Sequence, residues 1–320
     1  EKQHRLDTTQ LLRYAPYDYQ SKFHAEGAEC AQRILMAANR VGKTYCGAAE
    51  TAYHLTGDYP KWWEGRKFKK PVRAWAAGES NDTTRDIIQN ELLGNPQDPD
   101  KKGTGAVPLN RIVETTRKPG VPNALSSALI KHRTGGNSHI SFKAYEQGFE
   151  KFMGEAIDVV WLDEEPKQEI FSQCITRTAD TDGVVYMTFT PERGMTHVVS
   201  GFLNDIKPGQ GLTTATWDDV DHLNEATKKQ LLAVYSPAER EMRSKGIPVF
   251  GSGLVYPVSE DDLVCDDFDL PKHFTRIAGI DFGFDHPTAV SWIALDPDDD
   301  IMYVYDEYRR SKETPITHAS

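Results

Sequence analysis

The chain has 320 residues, of which 38% are hydrophobic and 27% charged, with 37 Lys and Arg against 48 Asp and Glu and a formal net charge of −11. That length and composition suit one large α/β domain plus a smaller piece, and with a mean hydropathy of −0.57 no apolar run approaches the ~20 residues of a membrane span. The charge excludes a protein that coats DNA over its whole surface, and leaves contact through a few basic loops open. The first residues, Glu1-Lys-Gln-His-Arg-Leu-Asp7, do not read as a signal peptide. Cys30, Cys46, Cys174 and Cys265 show no C-x-x-C spacing, which favours reduced thiols in a cytosolic compartment over disulfides or zinc.

Residues 11–20 lead into a short helix ending near Ala28. Gln20 lies 17 residues before Ala37, and its amide suits either adenine's N6 and N7 edge or a plain helix surface; Tyr17 is a candidate to stack or pack beside it. Residues 34–38 read as a buried strand and 44–54 as a helix. Between them, Ala37-Ala-Asn-Arg-Val-Gly-Lys-Thr44 fits the phosphate-loop pattern G-x-x-x-x-G-K-[ST] at every fixed position but the first, where Ala37 replaces glycine. In such a loop the N–H groups of Ala38, Asn39, Arg40, Val41 and Gly42 close on phosphate oxygens. Lys43 reaches the β/γ-phosphates of ATP and the Thr44 hydroxyl ligates Mg²⁺.

Residues 55–70 read as a loop with two tryptophans, 72–77 as a strand, 83–93 as a helix and 95–122 as a surface excursion rich in turn formers. Two strands, 125–132 and 139–144, flank the turn at 134–138. Residues 157–166, Ile-Asp-Val-Val-Trp-Leu-Asp-Glu-Glu-Pro, form a second anchor: an apolar strand ending in Asp163, a Mg²⁺ holder, and Glu164, which orients and deprotonates the attacking water. A helix over 170–178 follows, then a strand over 183–191 ending in Thr188-Phe-Thr-Pro, whose hydroxyls (Thr188, Thr190) suit a γ-phosphate sensor. Buried strands interleaved with helices imply a doubly wound α/β sheet with ligand at the strand carboxyl ends. After a strand over 211–219 come charged helices over 224–234 and 237–245, then a Gly- and Pro-rich linker over 246–257. A boundary falls between about Gly251 and Pro271. Strands over 276–285, 288–295 and 301–308 begin a second α/β domain.

Taken in order, Tyr17-Asp-Tyr-Gln20, the loop at 37–44, His54-Leu-Thr-Gly-Asp-Tyr-Pro60, Trp161-Leu-Asp-Glu-Glu-Pro166, Thr188-Phe-Thr-Pro191 and Asp281-Phe-Gly-Phe-Asp-His-Pro287 resemble the large terminase subunit of tailed bacteriophages. The likeness is to the headful-packaging subgroup of short-tailed phages. It implies a P-loop NTPase of the ASCE type at 1–210, a linker or lid subdomain at 211–271, and at 272–320 the first part of an RNase H-like nuclease. It implies ATP and Mg²⁺ at the first site and two divalent metals, Mg²⁺ or Mn²⁺, at the nuclease, with Asp281 as the first metal-holding acid and its partners beyond Ser320. Arg40 and Lys43 would carry the developing charge, and Lys151, in Glu150-Lys-Phe-Met-Gly154, takes the place of a cation that acts on a neighbouring subunit. Double-stranded DNA, the portal protein and a small terminase subunit are the implied partners, in a homo-oligomeric ring that docks transiently on the procapsid in the host cytoplasm. The isolated chain is expected to be a monomer. A helicase-like remodelling ATPase and a nucleotide-binding scaffold are the competing classes; intact Lys43, Asp163 and Glu164 weigh against the scaffold.

Overall fold

A computed structural model of the chain describes residues 10–248 and 264–319. It divides into two compact units, Glu1–Pro257 and Val258–Ser320.

The first unit is built on one eight-stranded sheet. Its strands are β1 (Gln32–Ala37), β2 (Arg73–Gly78), β3 (Ile112–Arg117), β4 (Leu125–Lys131), β5 (Asn137–Ala144), β6 (Val159–Asp163), β7 (Val184–Phe189) and β8 (Gln210–Ala215), in the order β3-β4-β5-β2-β6-β7-β1-β8. From β5 to β8 every pairing is parallel; β3 and β4 add an antiparallel edge. The apolar runs read from the sequence become the strands buried on both faces, as a parallel sheet requires.

Alternation along each strand sorts the side chains between two cores. Leu35, Ala74, Ala76, Val159, Trp161, Val184 and Tyr186 point to one. Ile34, Met36, Trp75, Val160, Leu162, Val185 and Met187 point to the other. Helix α1 (Asp18–Glu26) and helix α2 (Lys43–Thr56) cover the first core through Phe23, Ala48, Ala52 and Leu55. Helices α3 (Gln168–Ala179) and α4 (His197–Asn204) cover the second through Ile170, Phe171, Cys174, Val199 and Phe202. Helices α5 (Glu225–Val234) and α6 (Pro237–Lys245) follow β8.

Several local readings change. The excursion at 95–122 contains a strand, β3, whose mostly exposed face accounts for its polar sequence. Helix α4 is an element absent from the sequence reading, although Thr196 caps it and Val198, Val199 and Phe202 line its buried side. The segment at 83–93 is helical, but its middle, Thr84–Gln89, widens into a π-helix. The strand at the head of the expected linker, β8, lies in the large sheet beside β1, in register from Gln32↔Gln210 to Ala37↔Ala215. Most of the linker reading at 246–257 falls on residues outside those described.

The second unit contains β9 (Thr275–Asp281), β10 (Thr288–Asp296) and β11 (Ile301–Arg310), an antiparallel meander in the order β11-β10-β9. Asp281 closes β9.

Beneath the phosphate loop, β1, α1 and α2 are joined by a buried ionic cluster. Arg33 on β1 and Glu50 on α2 are each 1% exposed. Glu50 receives the Arg33 guanidinium on both oxygens, His24 Nδ1 at 2.8 Å and His54 Nε2 at 3.4 Å. Burial opposes the Glu50 charge, but Arg33 and the two imidazoles overcome it and hold the carboxyl well below its usual value. Removing one partner of such a pair strands the other, so Glu50→Ala should lose about 3–5 kcal/mol in urea unfolding. A depressed carboxyl contributes above its unfolded value and loses that contribution as pH falls toward its folded one. The gap between parent and variant should therefore stay constant from neutral pH down to about 4.5 and shrink below it.

Candidate active site

β1 ends at Ala37, the chain turns through Ala38–Gly42, and α2 begins at Lys43. Arg40 and Gly42 both take positive φ, 62° and 89°. Through this turn every main-chain oxygen has a donor. Ala37 O accepts from Thr190 Oγ1 at 3.0 Å and Ala38 O from Lys43 Nζ at 3.2 Å. Asn39 O accepts from Trp217 Nε1 at 2.8 Å, Arg40 O from His222 Nε2 at 2.8 Å, Val41 O from the Tyr19 hydroxyl and Gly42 O from Gln20 Nε2 at 3.1 Å. By contrast, no hydrogen bond among the described residues engages the N–H groups of Arg40, Val41, Gly42, Lys43 or Thr44. Five donors at the positive end of a helix are a ready anion site.

Lys43 is 8% exposed and also donates to Thr190 Oγ1 at 2.6 Å. Burial lowers its pKa, with Glu164 and Asp163 pulling the other way. Asp163, at the end of β6, lies next to Thr44, whose Oγ1 is 3.2 and 3.3 Å from its two oxygens. Thr188 Oγ1 donates to Asp163 Oδ1 at 2.7 Å and accepts from Trp161 Nε1 at 2.8 Å. Burial raises Asp163 to about 6 and Glu164 to about 7. Glu164 stands at φ 61°, a left-handed conformation that is costly for a residue with a Cβ and concentrates at functional positions. Its N–H bonds Thr188 O at 2.9 Å, its Oε2 receives Thr190 N–H at 3.3 Å, and Tyr145 OH is 2.9 Å from its carbonyl oxygen.

The buried Asp163 carboxylate, the adjacent Glu164 and a threonine hydroxyl beside an uncommitted row of N–H groups form a donor set suited to Mg²⁺ and a polyphosphate. Thr44 Oγ1 and Asp163 are the oxygens of that set suited to a metal, and burial raises Asp163 against the opposing pull of Thr188, Lys43 and Thr44.

Other predicted residues take different places. Gln20 is 2% exposed; its Nε2 braces Gly42 O, and its Oε1 accepts from Tyr17 N–H and Tyr14 OH at 3.0 and 3.3 Å. It supports the loop from below and neither presents an amide edge outward nor lies on a helix surface. Tyr17 stacks on Tyr19 with centroids 6.1 Å apart and reaches His222 Nδ1 at 3.0 Å. Arg40 is exposed. Lys151 is exposed in the turn Phe149–Phe152, where its carbonyl oxygen takes Lys143 Nζ at 2.5 Å. Asp281 lies in the other unit. Among the described residues, the one group of three potential metal ligands is His273, Asp296 and Asp298, toward the opposite end of the β9–β10 pair from Asp281.

Sequence reasoning gave no role at the site to Trp161, Tyr145, Trp217, His222 or Gly246. A Cβ on Gly246, just after α6, would stand 2.7 Å from Ala37 C and 2.8 Å from Ala38 N, so the backbone there touches the loop directly. A cavity of about 790 Å³ lined by Tyr14, Tyr53, Trp62 and Leu109 opens toward the far end of α2, away from these groups.

A strand ending in hydroxyls, β7, lies between the phosphate-loop strand and the acidic strand β6. That insertion defines an ASCE-type P-loop NTPase. A family profile described as "Terminase large subunit, T4likevirus-type, N-terminal" matches residues 34–261. The large terminase subunit of Salmonella phage P22 is 35% identical over 99% of this chain and 67% of its own length, and that of Enterobacteria phage LP7 is 25% identical over 99% and 69%. The chain belongs to the large-terminase family of tailed bacteriophages. The Thermus phage P74-26 large terminase ATPase domain shares the fold at TM-score 0.52 and 15% identity, covering 75% of this chain and 96% of that one. The large terminase from a thermophilic bacteriophage does so at 0.56 and 13%, covering 95% and 72%. The latter protein has also been solved with ADP and with ATP-gamma-S.

Gly47 on α2 leaves room for the Trp161 indole; a Cβ there would fall inside its van der Waals surface. Gly47→Ala should cost about 1–3 kcal/mol. Adding Trp161→Phe, a smaller ring, should make the double variant lose less than the sum of the singles, as read by urea midpoints.

Proposed function

We propose that the first unit hydrolyses ATP and couples the reaction to movement of double-stranded DNA into a capsid. The observation that carries this reading is the loop whose carbonyls from Ala37 to Gly42 are all taken, while the N–H groups from Arg40 to Thr44 have no partner among the described residues. The loop is committed in advance to receiving an anion, so little reorganisation opposes binding.

In this reading the N–H groups of Arg40 to Thr44 hold the phosphates. Lys43 exchanges Ala38 O and Thr190 Oγ1 for phosphate oxygens, a trade that returns a partner to a buried ammonium. Thr44 and Asp163 would hold Mg²⁺, which supplies charge neutralisation at the β- and γ-phosphates. Glu164 orients the attacking water and takes its proton; the environment that raises it to about 7 makes it a fit base near neutrality. Arg40, exposed at the rim, offsets the negative charge that develops on the leaving group. Thr190 bonds Ala37, Asn39 and Lys43 and so feels any change at the γ-position, while Thr188 keeps Asp163 in place. Segment 216–248 rests on the loop through Trp217, His222, Arg243 O to Asn39 N–H at 2.9 Å, and Gly246. It would serve as the lid that carries loop motion onward.

A homo-oligomeric ring, a portal protein, a small terminase subunit and a host-cytoplasmic setting follow from this motor role. A metal-dependent endonuclease in the second unit needs carboxylates close enough to share two metals. Among the described residues no group of three ligating side chains includes Asp281.

Lys43→Ala and Glu164→Ala should both abolish ATP turnover, but only the first should weaken ATP binding by calorimetry. A Glu164→Ala protein that turns over ATP at the parental rate would refute the assignment. Lys151 is proposed to act on a neighbour's nucleotide. Lys151→Ala should leave monomer affinity for ATP unchanged, and mixing it with Glu164→Ala subunits should restore part of the ring's activity. Absence of recovery from co-assembled mixtures would remove that role.

A further inference from the structure

Glu165 follows Asp163 and Glu164, yet nothing in the scheme above uses it. It is 5% exposed. Its Oε1 accepts from the Thr196 hydroxyl, and its Oε2 is buried and has no hydrogen-bond partner among the described residues. Thr196 in turn caps α4 by accepting Val199 N–H at 3.2 Å. The chain between Thr190 and Thr196 is therefore fastened at one end to Lys43 and Asn39 and at the other to Glu165.

A cleft of about 170 Å³ opens beside Glu165, lined also by Lys167, Arg193, Thr196 and His197. Arg193 lies within that fastened loop. Its Nη2 is 3.5 Å from Glu79 Oε1, with side chains 45% and 66% exposed, a pairing that contributes little. Its charge nonetheless acts on Glu165 and on Tyr145, whose hydroxyl lies at the Asp163 and Glu164 carbonyls. A buried carboxylate oxygen without a donor is costly, and a guanidinium offers donors in the geometry a carboxylate accepts.

We propose that Glu165 is a positioning residue for ATP hydrolysis: it ties the loop after β7 to the strand bearing Asp163 and Glu164, and its uncommitted oxygen receives Arg193. Transfer of Arg193 from Glu79 to Glu165 draws the loop over the end of β6 and keeps Thr190 beside Ala37 and Asn39 of the phosphate loop. This rests on the ATPase reading above. Lys167 is the rival cation, but it lies outside the loop and its movement would fasten nothing to β6.

The test combines hydrogen exchange of residues 191–197 with ATP kinetics on the full chain. Glu165→Ala should speed exchange of that segment without nucleotide, and should lower kcat roughly ten- to hundredfold while KM stays within about twofold. Glu165→Gln, which keeps an acceptor for Thr196, should restore slow exchange and part of kcat. Arg193→Ala should lower kcat, with the Glu165→Ala/Arg193→Ala pair no worse than the more damaged single variant. Glu79→Ala and Lys167→Ala should keep parental kcat. Parental exchange and kcat in a folded Glu165→Ala protein would overturn the proposal, and so would additive losses at 165 and 193. If Glu165→Ala fails to fold, Thr196→Val must reproduce the fast exchange, or the tie is refuted. A parent chain without ATP turnover sinks the ATPase reading and with it the kinetic role, while exchange still decides whether Glu165 fastens the loop.

Discussion

A phosphate loop must keep its carbonyl oxygens away from the anion it binds, because each one turned inward would repel phosphate. Here the six oxygens from Ala37 to Gly42 are held by donors from four separate parts of the chain: Tyr19 and Gln20 before the loop, Lys43 within it, Thr190 after β7, and Trp217 and His222 after β8. The N–H groups are left for the ligand as a consequence. Polarity at the site is thus set by where the oxygens go, and the positive φ at Arg40 and Gly42 is the backbone conformation that lets them go there.

Those donors hold the loop only if their own elements are fixed. The Arg33–Glu50 pair, with His24 and His54, locks α1 to β1 and α2 beneath the loop, so that Tyr19 and Gln20 stand at a constant distance from it. The same low-dielectric burial that makes this pair expensive to break also raises Asp163 and Glu164 above the usual carboxylate range. In one place charge is matched internally and serves stability; in the other it is left for a ligand to match.

Much of the central machinery was legible because its signals are local. A glycine, a lysine and a threonine at fixed spacing after an apolar strand, and two acids at the end of another, are readable within a dozen residues. The contact between Thr44 and Asp163 follows from pairing those two signals. The role of Gln20 stayed open because an amide serves a base edge and a backbone carbonyl equally well, and spacing does not separate the two. Strand β3 was hidden by its edge position, where little burial is asked of its side chains. Helix α4 was hidden by length, since eight residues hold little more than two turns of pattern. Trp217, His222 and Gly246 lie about 180 to 210 residues from the loop they touch, and no local pattern predicts a contact of that range.

The approach of Gly246 to Ala37 ties a distant part of the chain to the start of the phosphate loop. A Cβ at 246 would meet Ala37 C, Ala37 Cα and Ala38 N, main-chain atoms present whatever side chain stands at 37, and the φ of +69° at 246 is itself one that glycine favours. The two positions lie 209 residues apart. Any larger residue at 246 would have to push the end of α6 off the loop, so a change at a helix terminus reaches a segment that looks unrelated to it along the chain.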